Sequence, residues 1–128
     1  MDESQQTYNP VGWFEIPTSD LARAKAFYSA ILGVTFNEEK LNDYTLAMFP
    51  MHPGAIGAAG ALVNGGNFMP SCNGTLVYFT APDLDATLKK VEANGGRIIK
   101  GKHSIGQYGF VAFIEDTEAN RVALHARA

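Results

Sequence analysis

Apolar residues change from strand-like to helical spacing within residues 12–36. Residues 11–16, VGWFEI, are rich in aromatic and β-branched side chains, which is typical of a strand. In the next segment the apolar residues recur at helical spacing and predict a helix with one apolar face. They are Leu21, Ala24, Phe27, Tyr28, Ile31 and Leu32. Ser19 or Asp20 can cap this helix with a side-chain oxygen, and Gly33 can end it because glycine accepts the left-handed conformation. Residues 34–36 predict a second strand.

The same pattern returns at a constant offset of 63 positions, which aligns Asp20 with Asp83 and Gly33 with Gly96 without a gap. In this second copy, a strand over 75–80 precedes a helix that ends at Gly95 and Gly96, and whose apolar residues are Leu84, Leu88 and Val91. The offset is about half of the 128-residue chain. A repeat of this size indicates one structural unit used twice.

Short apolar segments predict the remaining strands, at 44–49 and 61–63 in the first copy and at 97–100, 109–114 and 121–125 in the second. We interpret the polar residues 37–43 as a hairpin connection, and the glycine-rich segment 51–60 as a flexible loop. Each copy is therefore a βαβββ module, over about 11–66 and 74–128. We predict an α+β fold in one domain, residues 1–128, whose two sheets lie side by side around an internal cleft, called the cup.

Length, charge and cysteine content exclude several classes of protein. The net charge is −3 and no basic run is present, so nucleic acid is not an expected partner. No apolar run reaches the roughly 18 residues of a membrane span, and the polar arm at 1–10 lacks the apolar core of a secretory signal. Cys72 is the only cysteine, which excludes an internal disulfide and a cysteine zinc cluster. We expect a cytoplasmic protein that does not associate with membranes.

Several short motifs accompany the repeat: SDL, FY and LG in the first copy, DLD and GG in the second, and FIEDTEANRVAL near the end. With these motifs the chain resembles the vicinal oxygen chelate superfamily of glyoxalases, bleomycin resistance proteins and ring-cleaving dioxygenases, over residues 11–125. The resemblance implies the glyoxalase fold, a homodimer, and a divalent metal held by His, Glu or Gln on the first and last strands of each module. The corresponding positions here are Trp13, Leu76, Gly60 or Ala61, and Ala123. None of these side chains can bind a metal, so we expect no metal and no cofactor.

Residues two apart on a strand face the same side, so Glu15 shares a face with Trp13, and Tyr78 with Leu76. Trp13 can stack on a ligand or belong to the core, and Glu15 can accept a hydrogen bond from an amine or hydroxyl. We predict a ligand-binding set of Trp13, Glu15, Met48, Tyr78, Tyr108 and His125, and assign no catalytic residue. His125 is either a base suited to neutral pH or a half-buried polar residue.

Three functions fit this pattern. The first is a protein that encloses a small, largely apolar organic molecule in its cup, as the bleomycin-resistance branch does. The second is a glyoxalase-type lyase or isomerase, or a dioxygenase-like enzyme. It would use a shifted metal site or metal-free acid–base chemistry at Glu15 and His125, although two ligands are fewer than the three of most catalytic metal sites. The third is an accessory domain whose cup is filled by its own side chains. We favour the first, because the lining is aromatic and the metal-ligand positions are apolar.

Overall fold

The computed structural model describes residues 9–128, so most of the polar arm predicted at 1–10 lies outside the described residues. The first module contains β1 (Phe14–Thr18), α1 (Leu21–Leu32), β2 (Asn37–Leu41), β3 (Tyr44–Met48) and β4 (Gly60–Gly65). The second contains β5 (Val77–Thr80), α2 (Leu84–Ala93), β6 (Arg97–Ser104), β7 (Phe110–Glu115) and β8 (Arg121–Ala126). The predicted βαβββ repeat and the α+β class are confirmed. No helix in the described part of the chain is long and apolar enough to cross a membrane.

Both modules have the same strand order. The first sheet runs β1-β4-β3-β2 and the second runs β5-β8-β7-β6. In each, the first strand of the module lies at a sheet edge and pairs in parallel with the last strand. This pairing sets Glu15 beside Ala61 and Tyr78 beside Ala123. The edge strands β1 and β5 therefore occupy equivalent places in the two modules.

The two helices begin in the same way and end differently. Asp20 accepts from the Arg23 backbone N–H at 3.0 Å, and Asp83 accepts from the Ala86 N–H at 3.1 Å, as the aligned aspartates predict. Gly33 has a φ of 68° at the end of α1, whereas Gly95 rather than Gly96 takes the left-handed conformation after α2. A Cβ at Gly96 would lie 2.6 Å from Cε1 of Phe27. Gly96 is therefore needed for close packing between the modules and not for its φ.

One apolar core lies on the helix side of both sheets. It contains Phe27, Tyr28 and Leu62 from the first module and Leu84, Ile114 and Leu124 from the second. The ring of Phe79, on β5, lies 5.7 Å from that of Phe14 and 5.5 Å from those of Tyr28 and Phe49. The two modules are consequently held together by shared packing.

Some strand boundaries differ from those that the sequence predicts. The prediction of a hairpin connection at 37–43 and a strand at 34–36 is wrong, because β2 occupies Asn37–Leu41. All five residues of β2 are exposed, so the strand carries no alternating apolar pattern, and its pairing with β3 forms it. In addition, β1 begins at Phe14 and β6 extends to Ser104.

Candidate functional site

A cavity of about 760 Å³ lies between the modules, and the edge strands β1 and β5 form two of its walls. The segment that joins the modules and the beginning of β8 complete the lining, through Met69, Asn73 and Arg121 among others. Pockets that enclose drug-sized ligands have volumes of about 300–1,000 Å³. The size of the cavity is therefore suited to a small organic molecule.

Apolar side chains on and next to the two edge strands line this cavity and remain partly exposed. Trp13 is 39% exposed and Tyr78 is 53% exposed. Leu76 and Met69 line the same cavity. A ligand that covered these groups would gain roughly 25 cal/mol for each Å² of apolar surface removed from water.

Two charged side chains lie on the lining, Glu15 from β1 and Arg121 from β8. The indole Nε1–H of Trp13 donates to Oε2 of Glu15 at 3.3 Å. This bond holds the carboxylate next to the N–H edge of the indole, so a hydrogen-bond acceptor and an aromatic ring lie together on one wall.

The structure brings three of the six predicted ligand-binding residues together at the cavity: Trp13, Glu15 and Tyr78. Met48 packs instead with the small cluster of Leu46, Ala61 and Val63 on β3 and β4. Tyr108 lies in the short helical turn before β7 and is exposed. Neither Met48 nor Tyr108 belongs to the cavity lining.

His125 also lies outside the cavity lining. Its Nε2 is 2.7 Å from the backbone oxygen of Tyr108. Because a carbonyl oxygen only accepts, Nε2 is the donor in this hydrogen bond. Glu15 lines the cavity and His125 does not, so the cavity does not bring these two predicted residues together.

The positions to which the resemblance assigns the metal ligands carry side chains that do not bind metals. Trp13 and Leu76 line the cavity, while Ala61 and Ala123 are fully buried in the last strands. None of the four side chains offers a lone pair for coordination. Within residues 9–128, no group of three or more His, Cys, Asp or Glu side chains is arranged to hold a metal ion. We therefore derive no reaction step that uses a metal.

A buried polar network at the turn between β7 and β8 supports one side of the cavity. The Glu118 carboxylate accepts from the backbone N–H groups of Ser19 and Asp20, each at 2.8 Å, and from Arg23 Nε at 2.7 Å. Burial acts to raise the pKa of Glu118, but these hydrogen bonds, led by that from Arg23, outweigh it and lower the pKa to about 2. The carboxylate is thus ionised and structural.

Two further side chains complete this network. The Tyr28 hydroxyl donates to Asp116 Oδ2 at 2.6 Å, and Asn120 Nδ2 donates to the Pro17 oxygen at 2.7 Å. Burial, reinforced by the Asp116 charge, raises the pKa of Tyr28 well above its usual value, so its hydroxyl stays a donor. The network ties the second module to the β1–α1 junction of the first and fixes β1 relative to β8. From the sequence, the residues of this β7–β8 turn stand out only as part of the motif FIEDTEANRVAL, and the local signal is the spacing of Asp116, Glu118 and Asn120.

The model of the Glyoxalase/Bleomycin resistance protein/Dioxygenase superfamily matches residues 11–124, and the chain belongs to this superfamily. The resemblance and the fold class inferred from the sequence are confirmed. Among individual relatives, the chain is 29% identical over 129 residues to a glyoxylase-like domain-containing protein of Didymella fabae, covering 94% of this chain and 95% of that protein. It is 27% identical over 125 residues to the putative glyoxylase CFP32 of Mycobacterium tuberculosis, covering 88% of this chain but only 43% of that relative.

Solved structures share the fold at lower identity. A glyoxylase/bleomycin resistance protein/dioxygenase domain from Frankia sp. EAN1pec has a TM-score of 0.74 at 14% identity, covering 95% of this chain and 100% of that one. TnmS3, an antibiotic binding protein from a Streptomyces species, has a TM-score of 0.69 at 21% identity, with 97% and 100% covered. Glyoxalase I from Zea mays has a TM-score of 0.69 at 18% identity, with 92% and 46% covered. At these identities the similarity shows the fold alone.

Proposed function

We propose that this protein binds a small, largely apolar organic molecule in the cavity between β1 and β5. The observation that carries the proposal is an open cavity of about 760 Å³ whose aromatic and apolar lining includes two of the family's metal-ligand positions, Trp13 and Leu76. TnmS3, which has the same fold, is described as an antibiotic binding protein and supports a binding role.

The two alternative functions have less support. Acid–base catalysis by Glu15 and His125 needs both groups at one ligand, and only Glu15 lines the cavity. A cup filled by its own side chains would leave no cavity of this volume. Some relatives are described as glyoxalases, which is a reason to test for enzymatic activity. A glyoxalase assay with added zinc, nickel or iron would provide that test. If the protein showed metal-dependent turnover and the Glu15→Ala variant lost it, the enzyme hypothesis would be favoured over the binding proposal.

Binding can be measured directly, because Trp13 is the only tryptophan and lies on the cavity wall. We expect at least one compound from a panel of aromatics, aldehydes and antibiotics to change the Trp13 fluorescence and to give a saturable heat in calorimetry. Ala58 lines the cavity, so Ala58→Phe should block binding. Ala55 belongs to the same loop and does not line this cavity, so Ala55→Phe is the matched control. The absence of binding across the panel, or equal binding to Ala58→Phe, would contradict the proposal.

We also propose that two copies of the chain associate as a homodimer. Two large apolar side chains of the loop between β3 and β4, Met51 and Ile56, are exposed and border the same small pocket. Clusters of exposed apolar groups often mark interaction surfaces. Sedimentation velocity should show a dimer that Ile56→Asp weakens, while Glu39→Gln, an exposed change elsewhere, leaves it intact. A monomer at all accessible concentrations would refute this proposal.

A further inference from the structure

We propose that the ligand of the cavity is amphoteric. It would be a planar apolar molecule with an anionic oxygen group that Arg121 binds and a protonated amine that Glu15 binds. This inference rests on the proposed function and specifies the class of molecule bound. Its starting observation is that the two charged side chains on the lining have opposite signs and come from different modules.

The guanidinium group of Arg121 is free to bind a ligand, because the neighbouring carboxylate in the second sheet pairs with another arginine. Arg97, Glu115 and Arg121 form one row across β6, β7 and β8, and side chains directly opposite each other project from the same face. Glu115 Oε1 accepts from Nη2 of Arg97 at 3.2 Å. Within residues 9–128, Glu115 forms an ion pair with Arg97 alone, and Arg121 forms none. Its planar fork is suited to a carboxylate or to a pair of neighbouring oxygens.

Glu15 offers the complementary group on the opposite module. Its Oε2 is held by the Trp13 indole N–H, and the carboxylate forms no ion pair in the described part of the chain. The rings of Trp13 and Tyr78 line the same cavity. Because a protonated amine forms charge-assisted hydrogen bonds with a carboxylate, the position of Glu15 favours a protonated amine.

Glu15 and Arg121 do not pair with each other, although they line one cavity. A neutral apolar ligand would cover both charges and remove their water without replacing its hydrogen bonds, which costs free energy. A ligand with an amine at one end and a carboxylate at the other satisfies both side chains. The charged groups therefore select an amphoteric molecule from the apolar compounds that fit the cavity.

The test uses four probes with one planar body. They are an (aminomethyl)naphthoate with its amine and carboxylate at opposite ends, its methyl ester, naphthoate without the amine, and naphthalene. Calorimetry at neutral pH should show that the amphoteric probe binds about tenfold or more tighter than either singly charged probe, as expected for charge-assisted hydrogen bonds. The Arg121→Gln variant should bind the amphoteric probe only as tightly as wild type binds the methyl ester. The Glu15→Gln variant should bind it only as tightly as wild type binds naphthoate.

Matched controls are Arg127→Gln and Glu39→Gln, since both residues are exposed and neither lines the cavity. Both controls should keep the preference for the amphoteric probe. Equal affinity for all four probes would overturn this inference and leave the proposed binding function standing. If none of the four binds, naphthalene included, both proposals fail for this class of ligand.

Discussion

At the scale of single residues, Glu118 combines a charge with complete burial, since its side chain has 0% exposure. The folded-state pKa of about 2 lies below the ordinary value of 4.5. A carboxyl group with a lowered folded-state pKa adds stability above its unfolded pKa, and this contribution is lost as the pH falls through the folded-state value. Glu118 should therefore stabilise the protein fully above pH 4.5 and progressively less toward pH 2.

We expect Glu118→Gln to lower the free energy of unfolding by about 2 kcal/mol at neutral pH, because it removes charge-assisted hydrogen bonds from a buried site. Urea unfolding at several pH values measures this, and the difference from wild type should shrink below pH 4.5. Glu39→Gln, on the exposed strand β2, should change stability by less than about 0.5 kcal/mol. A pH-independent difference would show that charge is not the cause.

The residues of the candidate site could be predicted from sequence only where they follow a local rule. Strand alternation predicted Trp13 and Glu15 on one face, and the repeat pointed to Tyr78; all three line the cavity. The role of Glu118 depends on Ser19, Asp20 and Arg23, which are at least 95 positions away. Arg121 likewise faces the cavity only because the two modules meet. The polar spacing of Asp116, Glu118 and Asn120 is a local signal for the turn, but a single sequence does not indicate which distant residues these side chains or Arg121 will face.

At the scale of elements, the parallel pairing of β1 with β4 depends on Gly60. A Cβ at this position would overlap with the backbone oxygen of Phe14 and lie 2.5 Å from its Cδ2. We expect Gly60→Ala to reduce the free energy of unfolding by about 1–3 kcal/mol, the usual range for overpacking. Thermal unfolding followed by circular dichroism measures the loss, and ligand binding should weaken with it because β1 forms a cavity wall.

Gly101→Ala is the matched control for Gly60→Ala. Gly101 also lies on a strand, and a Cβ there would meet no atom within 4 Å. A loss of stability as large in Gly101→Ala as in Gly60→Ala would mean that strand propensity, and not the close approach of β1, explains the effect.

The elements themselves differ in how well sequence predicts them. The two helices have apolar stripes with capping aspartates, so their positions are predictable from local pattern. β2, with the sequence NEEKL, has neither apolar alternation nor buried side chains. It is a strand because β3 supplies its hydrogen-bond partners. Tertiary pairing of this kind overrides local propensity and explains the error at 37–43.

At the scale of the whole molecule, the shared core predicts that the modules unfold together. Phe79 belongs to the second module, yet its ring neighbours Phe14, Tyr28 and Phe49 all belong to the first. We expect Phe79→Ala to lower the free energy of unfolding by about 3 kcal/mol. It should shift the midpoint seen by Trp13 fluorescence, which reports on the first module, by as much as the midpoint seen by far-ultraviolet circular dichroism, as in a two-state transition.

Tyr78→Ala serves as the control, since it removes a neighbouring aromatic ring that is largely exposed and lies outside the core. Its effect on stability should be well below that of Phe79→Ala. If the modules were independent domains, Phe79→Ala would leave the Trp13 midpoint unchanged while the second module melted earlier. A single shared transition also bears on the proposed ligand, because a molecule that contacts both β1 and β5 would then stabilise the entire fold and raise both midpoints equally.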